Sequence, residues 1–215
     1  MYQLKFDIHS YWRAGTGRGG GALLDEVVHK DVYGLPCIPG RSVKGLVRRA
    51  VYRAEEWGLL NNSGVDKENT TLTELWFGTK GEHLKNQPGV LGFSDAVLEK
   101  ELLDYLLWLK EQRNGLERFQ KYVRGFFHHI HATAIEADTG SAKDKSLRAM
   151  EVTIPLTLTA ELHILQPERL DTKTPEWCEI LKQCLPLIRG LGTSRSRGLG
   201  RVTVTLEEYN ASKTI

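Results

Sequence analysis

The strongest structural signal in the 215-residue sequence is a stripe of apolar residues between positions 43 and 57. The members of the stripe recur at intervals of three and four, which is the spacing of one face of an α-helix. They are Val43, Leu46, Val47, Ala50, Val51, Ala54 and Trp57. A helix with one apolar face must bury that face against another layer, so the pattern requires a sheet or further helices elsewhere in the chain.

Two segments alternate between apolar and polar residues, which is the period of a half-buried β-strand. The first covers residues 2–8, and the second runs from Val152 to Ile164 with at most a bulge at Pro155. Weaker patterns predict strands at 90–94 and 202–206 and helices at 97–112 and about 175–189, whereas 116–131 fits a helix or a strand. This order predicts an α+β domain with an antiparallel sheet and helices on one face, of the ferredoxin-like or RNA-recognition-motif kind.

The composition restricts the class of protein further. The chain is 40% hydrophobic and 26% charged, which is typical of globular proteins and excludes disorder over the whole chain. No apolar run approaches the roughly 20 residues needed to cross a bilayer, and the N-terminal residues lack the profile of a signal peptide. The cysteines Cys37, Cys178 and Cys184 are too scattered for a disulfide framework or a zinc site. We therefore expect a cytoplasmic protein.

Positive charge is concentrated in two segments, although the net charge of the chain is only +2. Residues 41–53 and 189–201 are rich in arginine, and neither segment contains an acidic residue. Neutralising phosphates requires positive charge at one place, not a high overall charge. The two segments therefore predict a surface that binds a polyanion.

Glycine-rich stretches accompany these charges. Residues 15–20 fit the letters of a dinucleotide-binding motif, but no helix pattern starts at Gly20 and no acid follows about 20 residues later, which argues against such a site. Residues 190–200 have two Gly-Leu-Gly triplets on either side of a core of threonine, serine and arginine. Backbone N–H groups, hydroxyls and guanidinium groups in such a loop can all bind phosphate oxygens.

The motifs together resemble those of the RAMP superfamily of CRISPR-associated proteins. Residues 190–200 resemble its C-terminal glycine-rich signature, and residues 38–48, which begin Ile-Pro-Gly, resemble its IPG motif. Residues 25–31 resemble the D-x-x-V-x-x-D stretch of the repeated backbone subunit of type III effector complexes, and residues 134–142 resemble a stretch on the thumb of that subunit. The order and spacing of the motifs hold over nearly the whole chain.

The resemblance implies a modified RNA-recognition fold that polymerises along a CRISPR RNA and inserts its thumb at a displaced nucleotide. It implies one domain over residues 1–215, with insertions at about 58–88 and 116–150 as thumb or lid. The implied partners are CRISPR RNA, complementary target RNA, other copies of the chain and other effector subunits, with no membrane. The residues expected to bind RNA are Arg13, Arg18, Arg41, Ser42, Lys44, Arg48, Arg148, Gly190, Gly192, Thr193, Ser194, Arg195, Arg197, Gly198 and Gly200.

Catalytic members of the family cleave the paired target RNA with an aspartate in the loop before the IPG motif. The matching position is Asp25, with Asp31 and His29 as weaker candidates. A single carboxylate can hold Mg²⁺ or another divalent metal beside a phosphodiester and orient the attacking hydroxyl. The resemblance therefore implies a metal-dependent endoribonuclease with Asp25 as both catalytic residue and metal ligand.

Two other functions remain open at this point. One is a structural subunit that binds guide RNA without cutting, and the other is a metal-independent processing endonuclease that uses His9 with a nearby lysine or arginine. Tyr11 and Trp12 either stack on a base or pack onto the sheet. For the histidines of segment 128–131, contact with solvent or phosphate is favoured over zinc, and Arg148 with Met150 is expected at the base of the thumb, against the duplex.

Overall fold

The computed structural model of the chain describes residues 1–17, 27–60, 71–79, 87–170 and 176–209. The strands are β1 (Tyr2–Ile8), β2 (Leu91–Phe93), β3 (Val97–Leu98), β4 (Phe127–Ala132), β5 (Arg148–Thr153), β6 (Thr157–Ile164) and β7 (Val202–Glu208). The helices are α1 (Gly40–Glu56), α2 (Leu72–Phe77), α3 (Lys100–Glu111), α4 (Gly115–Gly125) and α5 (Glu176–Cys184). Short 3-10 turns cover Pro167–Arg169, Leu185–Leu187 and Arg195–Arg197.

The main sheet is antiparallel and has the strand order β2-β6-β1-β7, with β3 paired to the same edge of β6 as β2. Helix α1 lies between β1 and β2 in the chain, and α5 lies between β6 and β7. The elements β1-α1-β2-β6-α5-β7 therefore follow one another in the order of a βαββαβ unit. The predicted combination of helices with an antiparallel sheet is confirmed.

The core lies between one face of this sheet and the helices α1 and α5. Leu4 and Phe6 of β1, Val47 of α1 and Leu181 of α5 are all fully buried in one hydrophobic cluster. Lys5 lies between Leu4 and Phe6 on the strand, points to the opposite face and forms an ion pair with Glu99 at 3.3 Å. The alternation in β1 thus separates the core from the other face of the sheet.

Helix α1 follows the predicted stripe closely. Val43, Val47, Ala50, Val51 and Ala54 are buried, and Leu46 packs against them at the edge of the core. Trp57, the last residue of the predicted stripe, instead follows the end of the helix and is 60% exposed. The helix therefore ends one residue before the last position of the predicted stripe.

The start of α1 is fixed by contacts with the connection between β2 and β3. The N–H of Gly40 donates to a carboxylate oxygen of Asp95 at 2.6 Å, which satisfies one of the free N–H groups of the first turn. A Cβ at Gly40 would lie 2.6 Å from the carbonyl oxygen of Phe93. Only glycine fits this contact, so the Pro39-Gly40 pair sets where the basic helix begins.

The prediction of one strand from Val152 to Ile164 is wrong. The segment forms two strands that belong to different sheets, with the break at Ile154–Leu156. Pro155 has no N–H to give to a strand ladder, and the chain turns there to leave the pair β4-β5 and enter the main sheet. The predicted helix at about 175–189 also ends earlier, at Cys184, and continues as a 3-10 turn that contains Pro186.

The ambiguous segment 116–131 contains both structures, since α4 ends at Gly125 and β4 begins at Phe127. Strands β4 and β5 form a separate two-stranded hairpin, and every residue from 133 to 145 at its far end is exposed. The exposed end contains residues 134–142, the stretch that resembles part of the thumb of the type III backbone subunit. In the part of the chain that the structure describes, no helix has the length and apolar character needed to cross a membrane.

Candidate functional site

The glycine-rich segment 190–200 closes on itself as a loop between α5 and β7. Its ends meet at Gly190 and Arg201, and the N–H of Leu191 donates to the carbonyl of Gly200 at 2.9 Å. A Cβ at Gly200, whose φ is +72°, would lie 2.0 Å from the carbonyl oxygen of Leu191. This glycine therefore permits close packing of the loop on its own backbone.

The loop is fastened to the segment that follows β1. The N–H of Gly200 donates to the carbonyl of Tyr11 at 2.7 Å, and the N–H of Arg201 donates to Oγ of Ser10 at 2.9 Å. The N–H of Thr193 donates to the carbonyl of Arg13 at 3.1 Å, and Nε of Arg13 donates to Oγ1 of Thr193 at 2.8 Å. These bonds fix the loop relative to the main sheet.

Arg13 is an interior residue of this arrangement. Its side chain is only 6% exposed, and burial lowers the pKa of its guanidinium below the ordinary value. A Cβ at Gly192, whose φ is +73°, would lie 2.1 Å from the carbonyl oxygen of Arg13. Arg13, Gly192 and Thr193, which the sequence assigned to RNA, thus form the attachment of the loop.

A cleft of about 730 Å³ separates this loop from α1. Helix α1 contributes Arg49 and Arg53, the loop contributes Arg195, and the residues on either side of the loop contribute Arg189 and Arg201. Gly190, Gly198, Ser10 and Ser196 also line it, and no acidic side chain is among the lining residues that the structure describes. The two basic segments of the sequence therefore meet across one cleft.

The positive charge of the cleft is not neutralised within the described residues. None of the ion pairs found there involves the five arginines. Arg53 is the most constrained of them, because its guanidinium donates to the carbonyl of Leu187 at 3.3 Å and lies over the ring of Trp57 at 5.1 Å. Several guanidinium groups held close together favour a ligand with several negative oxygens, such as a chain of phosphates.

The structure places the other predicted basic residues of α1 elsewhere. Arg41 and Ser42 are exposed in the first turn, and Lys44 is half-buried, but none of the three lines the cleft. Arg48 donates to the carbonyl of Gly78 at 3.4 Å and borders a different groove, which also contains carboxylates. Helix α1 therefore faces the cleft with Arg49 and Arg53 and not with the basic residues that the sequence analysis selected.

The sequence contained a signal for Arg49 and Arg53, the two cleft residues of α1 that were not selected. Arg49 and Arg53 are spaced by four, next to Leu46 and Ala50 of the stripe, so they had to lie at its border. Of the loop residues expected to bind RNA, Gly190, Arg195 and Gly198 line the cleft, whereas Ser194 and Arg197 lie in the loop outside its lining. Gly198 has a φ of +84° and nothing within 4 Å of its Cβ position, so its backbone is open to a ligand.

The expected catalytic and metal-binding residue, Asp25, lies outside the described residues, and so does Arg18. Over the described ranges, no group of three or more histidine, cysteine, aspartate or glutamate side chains is placed to hold a metal ion. Of the weaker candidates, Asp31 accepts hydrogen bonds from the N–H groups of Tyr33 and Leu35, both at 2.8 Å. That carboxylate thus stabilises a turn.

The residues that follow Asp25 are attached to the base of the hairpin. Glu151 of β5 is 5% exposed, and its carboxylate accepts from the N–H of Val28 at 3.2 Å and from Nζ of Lys30 at 2.7 Å. Lys30 also lies over the ring of Phe127 at 4.1 Å. Arg148 is exposed at the start of β5, opposite Ala132, at the outer end of the same hairpin.

His9 lies in a second groove, of about 660 Å³, which shares Arg189 and Arg201 with the cleft. Its Nε2 is 2.8 Å from Oγ1 of Thr203, and Lys182, Arg189 and Arg201 line the same groove. A histidine beside three cations is an arrangement in which a phosphodiester and a proton-transfer group can meet. His9 thus has the nearby lysine and arginine that a metal-independent processing endonuclease would use.

The βαββαβ order, the hairpin formed by β4 and β5 and the arginine cleft together describe a small α+β domain with positive charge concentrated at one place. A family model described as the RAMP superfamily matches residues 5–203, and the chain belongs to that superfamily. The resemblance drawn from the motifs is thereby confirmed. A comparison with curated proteins found no match.

Two solved structures share the fold. A chain from a cryo-EM structure of the type III-B Cmr-beta bound to cognate target RNA superposes with a TM-score of 0.65 at 11% identity, covering 95% of this chain and 96% of that chain. A chain from the apo state of the type III-B Cmr-beta superposes with a TM-score of 0.61 at 12% identity, covering 97% and 98%. At these identities the similarity concerns the fold.

Proposed function

We propose that the chain is an RNA-binding backbone subunit of a type III CRISPR effector complex, and that its arginine cleft holds phosphates of the guide RNA. The observation that carries the proposal is the meeting of five arginines, without a carboxylate among the described lining residues, between α1 and the glycine loop. Membership of the RAMP superfamily and the shared fold with chains of the type III-B Cmr-beta support it.

Binding in this cleft would be independent of sequence. Guanidinium groups and the open backbone of Gly198 bind phosphate oxygens, which are the same for every nucleotide. The choice of target would then come from base pairing between guide and target RNA. The exposed hairpin formed by β4 and β5, with Arg148 at its outer end, is the segment we assign as the thumb inserted at a displaced nucleotide.

RNA binding can be tested with charge variants in pairs. We expect Arg49→Gln and Arg195→Gln each to weaken binding of single-stranded RNA and to lower the slope of log affinity against log salt by about 0.7. The matched controls are Arg113→Gln and Arg118→Gln, exposed arginines outside the cleft. Equal losses in all four variants would show that the chain binds RNA through its general charge, and the cleft assignment would be withdrawn.

We further propose that Asp25 supports divalent-metal-assisted cleavage of the paired target RNA in the assembled complex. The support is its position in the D-x-x-V-x-x-D stretch of the sequence. Glu151 holds the following residues Val28 and Lys30 at the base of the hairpin, where the proposed thumb meets the RNA. A metal held by one carboxylate and by phosphate oxygens would supply Lewis-acid activation of the phosphodiester.

Cleavage is tested on the protein assembled with a CRISPR RNA and a labelled complementary RNA. We expect regularly spaced cuts in Mg²⁺ that disappear in EDTA and in Asp25→Ala, while the exposed-aspartate control Asp104→Ala cuts normally. Tight guide binding with no cuts in any variant would leave a structural subunit. Cuts that survive EDTA and disappear in His9→Ala would instead support the groove beside Thr203 as the active site.

A further inference from the structure

Two exposed aromatic rings stack on each other beside the arginine cleft. The rings of Tyr11 and His128 have centroids 5.6 Å apart and an interplanar angle of 17°. Tyr11 is 39% exposed, and His128 is exposed on β4. The pair joins the segment after β1 to the base of the hairpin.

Trp12, the residue after Tyr11, is the one of the two that packs in the core. Trp12 is completely buried, and its indole N–H donates to the carbonyl of Ile154 at 3.0 Å. Of the two aromatic residues that the sequence left undecided, Trp12 therefore packs inside and Tyr11 stays at the surface. An aromatic ring at the surface with a second ring stacked on it offers a flat apolar area in contact with water.

The stacked pair is connected directly to the cleft. Ser10, the residue before Tyr11, lines the cleft and accepts a hydrogen bond from the N–H of Arg201 at 2.9 Å. The carbonyl of Tyr11 accepts from the N–H of Gly200 at 2.7 Å. Consecutive Cα atoms are about 3.8 Å apart, so the backbone of Tyr11 lies directly beside the edge of the cleft that Ser10 forms.

The hairpin extends this surface away from the cleft. Side chains alternate along a strand, so His128 shares a face of β4 with Ile130 and Ala132. Directly opposite on β5 are Val152, Met150 and Arg148. The face therefore runs from the stacked rings over the half-buried pair of Ile130 and Met150 to the exposed Arg148.

We infer that Tyr11 and His128 form a stacking platform for one unpaired base of single-stranded RNA whose phosphate lies in the arginine cleft. This inference rests on the proposed function of the cleft. Every base has a flat aromatic face, so the platform accepts any of the four bases and preserves binding that is independent of sequence. Stacking needs the ring of Tyr11 and not its hydroxyl.

The test uses the purified full chain and single-stranded RNAs that carry 2-aminopurine at successive positions. Stacking of this base on a ring quenches its fluorescence. We expect quenching in the wild type, loss of that quenching in Tyr11→Ala and in His128→Ala, and its retention in Tyr11→Phe. We expect the affinity of Tyr11→Ala to fall about fivefold to a hundredfold, the range found when a stacking ring is removed.

The chain offers a matched control in a second exposed pair. The rings of Tyr105 and Trp108 in α3 also stack, with centroids 6.1 Å apart. These two residues do not line the cleft, and along the sequence they are far from the residues that do. Tyr105→Ala should leave quenching and affinity unchanged. Far-UV circular dichroism identifies any variant that fails to fold, and Tyr11→Phe and His128→Ala provide the comparison in that case.

The outcomes separate this inference from the proposed function. If Arg49→Gln weakens RNA binding while Tyr11→Ala and His128→Ala leave the quenching unchanged, the platform is refuted and the cleft stands. If RNA binds without any dependence on the cleft arginines, the proposed function fails, and the platform fails with it. Equal loss of quenching in Tyr11→Ala and Tyr105→Ala would also overturn the platform.

Discussion

A comparison of two glycines in the loop tests whether its packing on the chain itself shapes the arginine cleft. Gly192 and Gly198 both have a left-handed backbone, with φ of +73° and +84°. A Cβ at Gly192 would lie 2.1 Å from the carbonyl oxygen of Arg13, whereas a Cβ at Gly198 would meet nothing within 4 Å. Alanine at either position therefore has the same backbone strain, and only alanine at Gly192 has a steric clash.

The magnitudes follow from these contacts. The left-handed backbone costs alanine about 1–2 kcal/mol, and the stiffer unfolded chain returns about 0.4–1 kcal/mol of that. Gly198→Ala should thus lower the free energy of unfolding by about 1 kcal/mol. Gly192→Ala must also displace the Arg13 carbonyl and weaken the two hydrogen bonds between Arg13 and Thr193, so its total loss should be about 2–5 kcal/mol.

Urea denaturation measures both losses, and RNA binding below the transition measures the consequence for the cleft. We expect Gly192→Ala to lose affinity without any change in charge, because Arg195 lies on the loop that the clash displaces and Arg201 directly follows that loop. Gly198→Ala adds a methyl on the side that faces the ligand but leaves the arginines in place, so it should lose less affinity than Gly192→Ala. Equal destabilisation of the two variants, or normal RNA binding by a clearly destabilised Gly192→Ala, would refute the reasoning.

Three further predictions concern the buried Glu151 carboxylate, the buried cysteine thiols and the unpaired charge of the cleft. Glu151→Gln should lower the free energy of unfolding by about 1–3 kcal/mol in urea denaturation, because the bond to Lys30 loses its charge. Burial raises the pKa of Cys37 to about 11 and of Cys184 to about 12 from 9.0, so both thiols should resist alkylation at pH 8 until urea unfolds the chain. The stability that these neutral thiols contribute is present below pH 9.0 and should be lost as the pH rises towards 11. Arg195→Gln should raise the urea midpoint slightly at low salt by relieving repulsion in the cleft, and the gain should vanish in 1 M salt, where the screening length is about 3 Å.

The sequence predicted α1 well because burial of its stripe depends only on helix periodicity. It could not predict which basic residues of α1 face the glycine loop. At 3.6 residues per turn, Arg49 and Arg53 lie along one border of the stripe, and Arg41, Lys44 and Arg48 lie along the other. Both borders are basic, so periodicity favours neither, and the position of the loop decides between them.

The two strands within 152–164 were missed for a similar reason. Apolar residues alternate on both sides of Pro155, yet Val152 belongs to the hairpin and Leu158 to the main sheet. Alternation of apolar and polar residues indicates which side chains are buried, but it does not indicate to which sheet the strand belongs. Only the missing N–H of Pro155 pointed to the break, and a bulge would have satisfied that signal equally well.

The glycines of the loop show most clearly what sequence reasoning lacked. Gly192 and Gly200 were expected to bind RNA, but each packs closely against the backbone of the chain itself, at Arg13 and at Leu191. These contacts between backbone groups hold the loop in place, and with it Arg195 at the cleft. Ordering side chains and loops on binding costs free energy, and a loop already fixed by its own backbone avoids much of that cost. Backbone packing thus holds the like charges together. The loop needs glycine at positions 192 and 200, where it packs on the rest of the chain, as well as at position 198, where it faces the cleft.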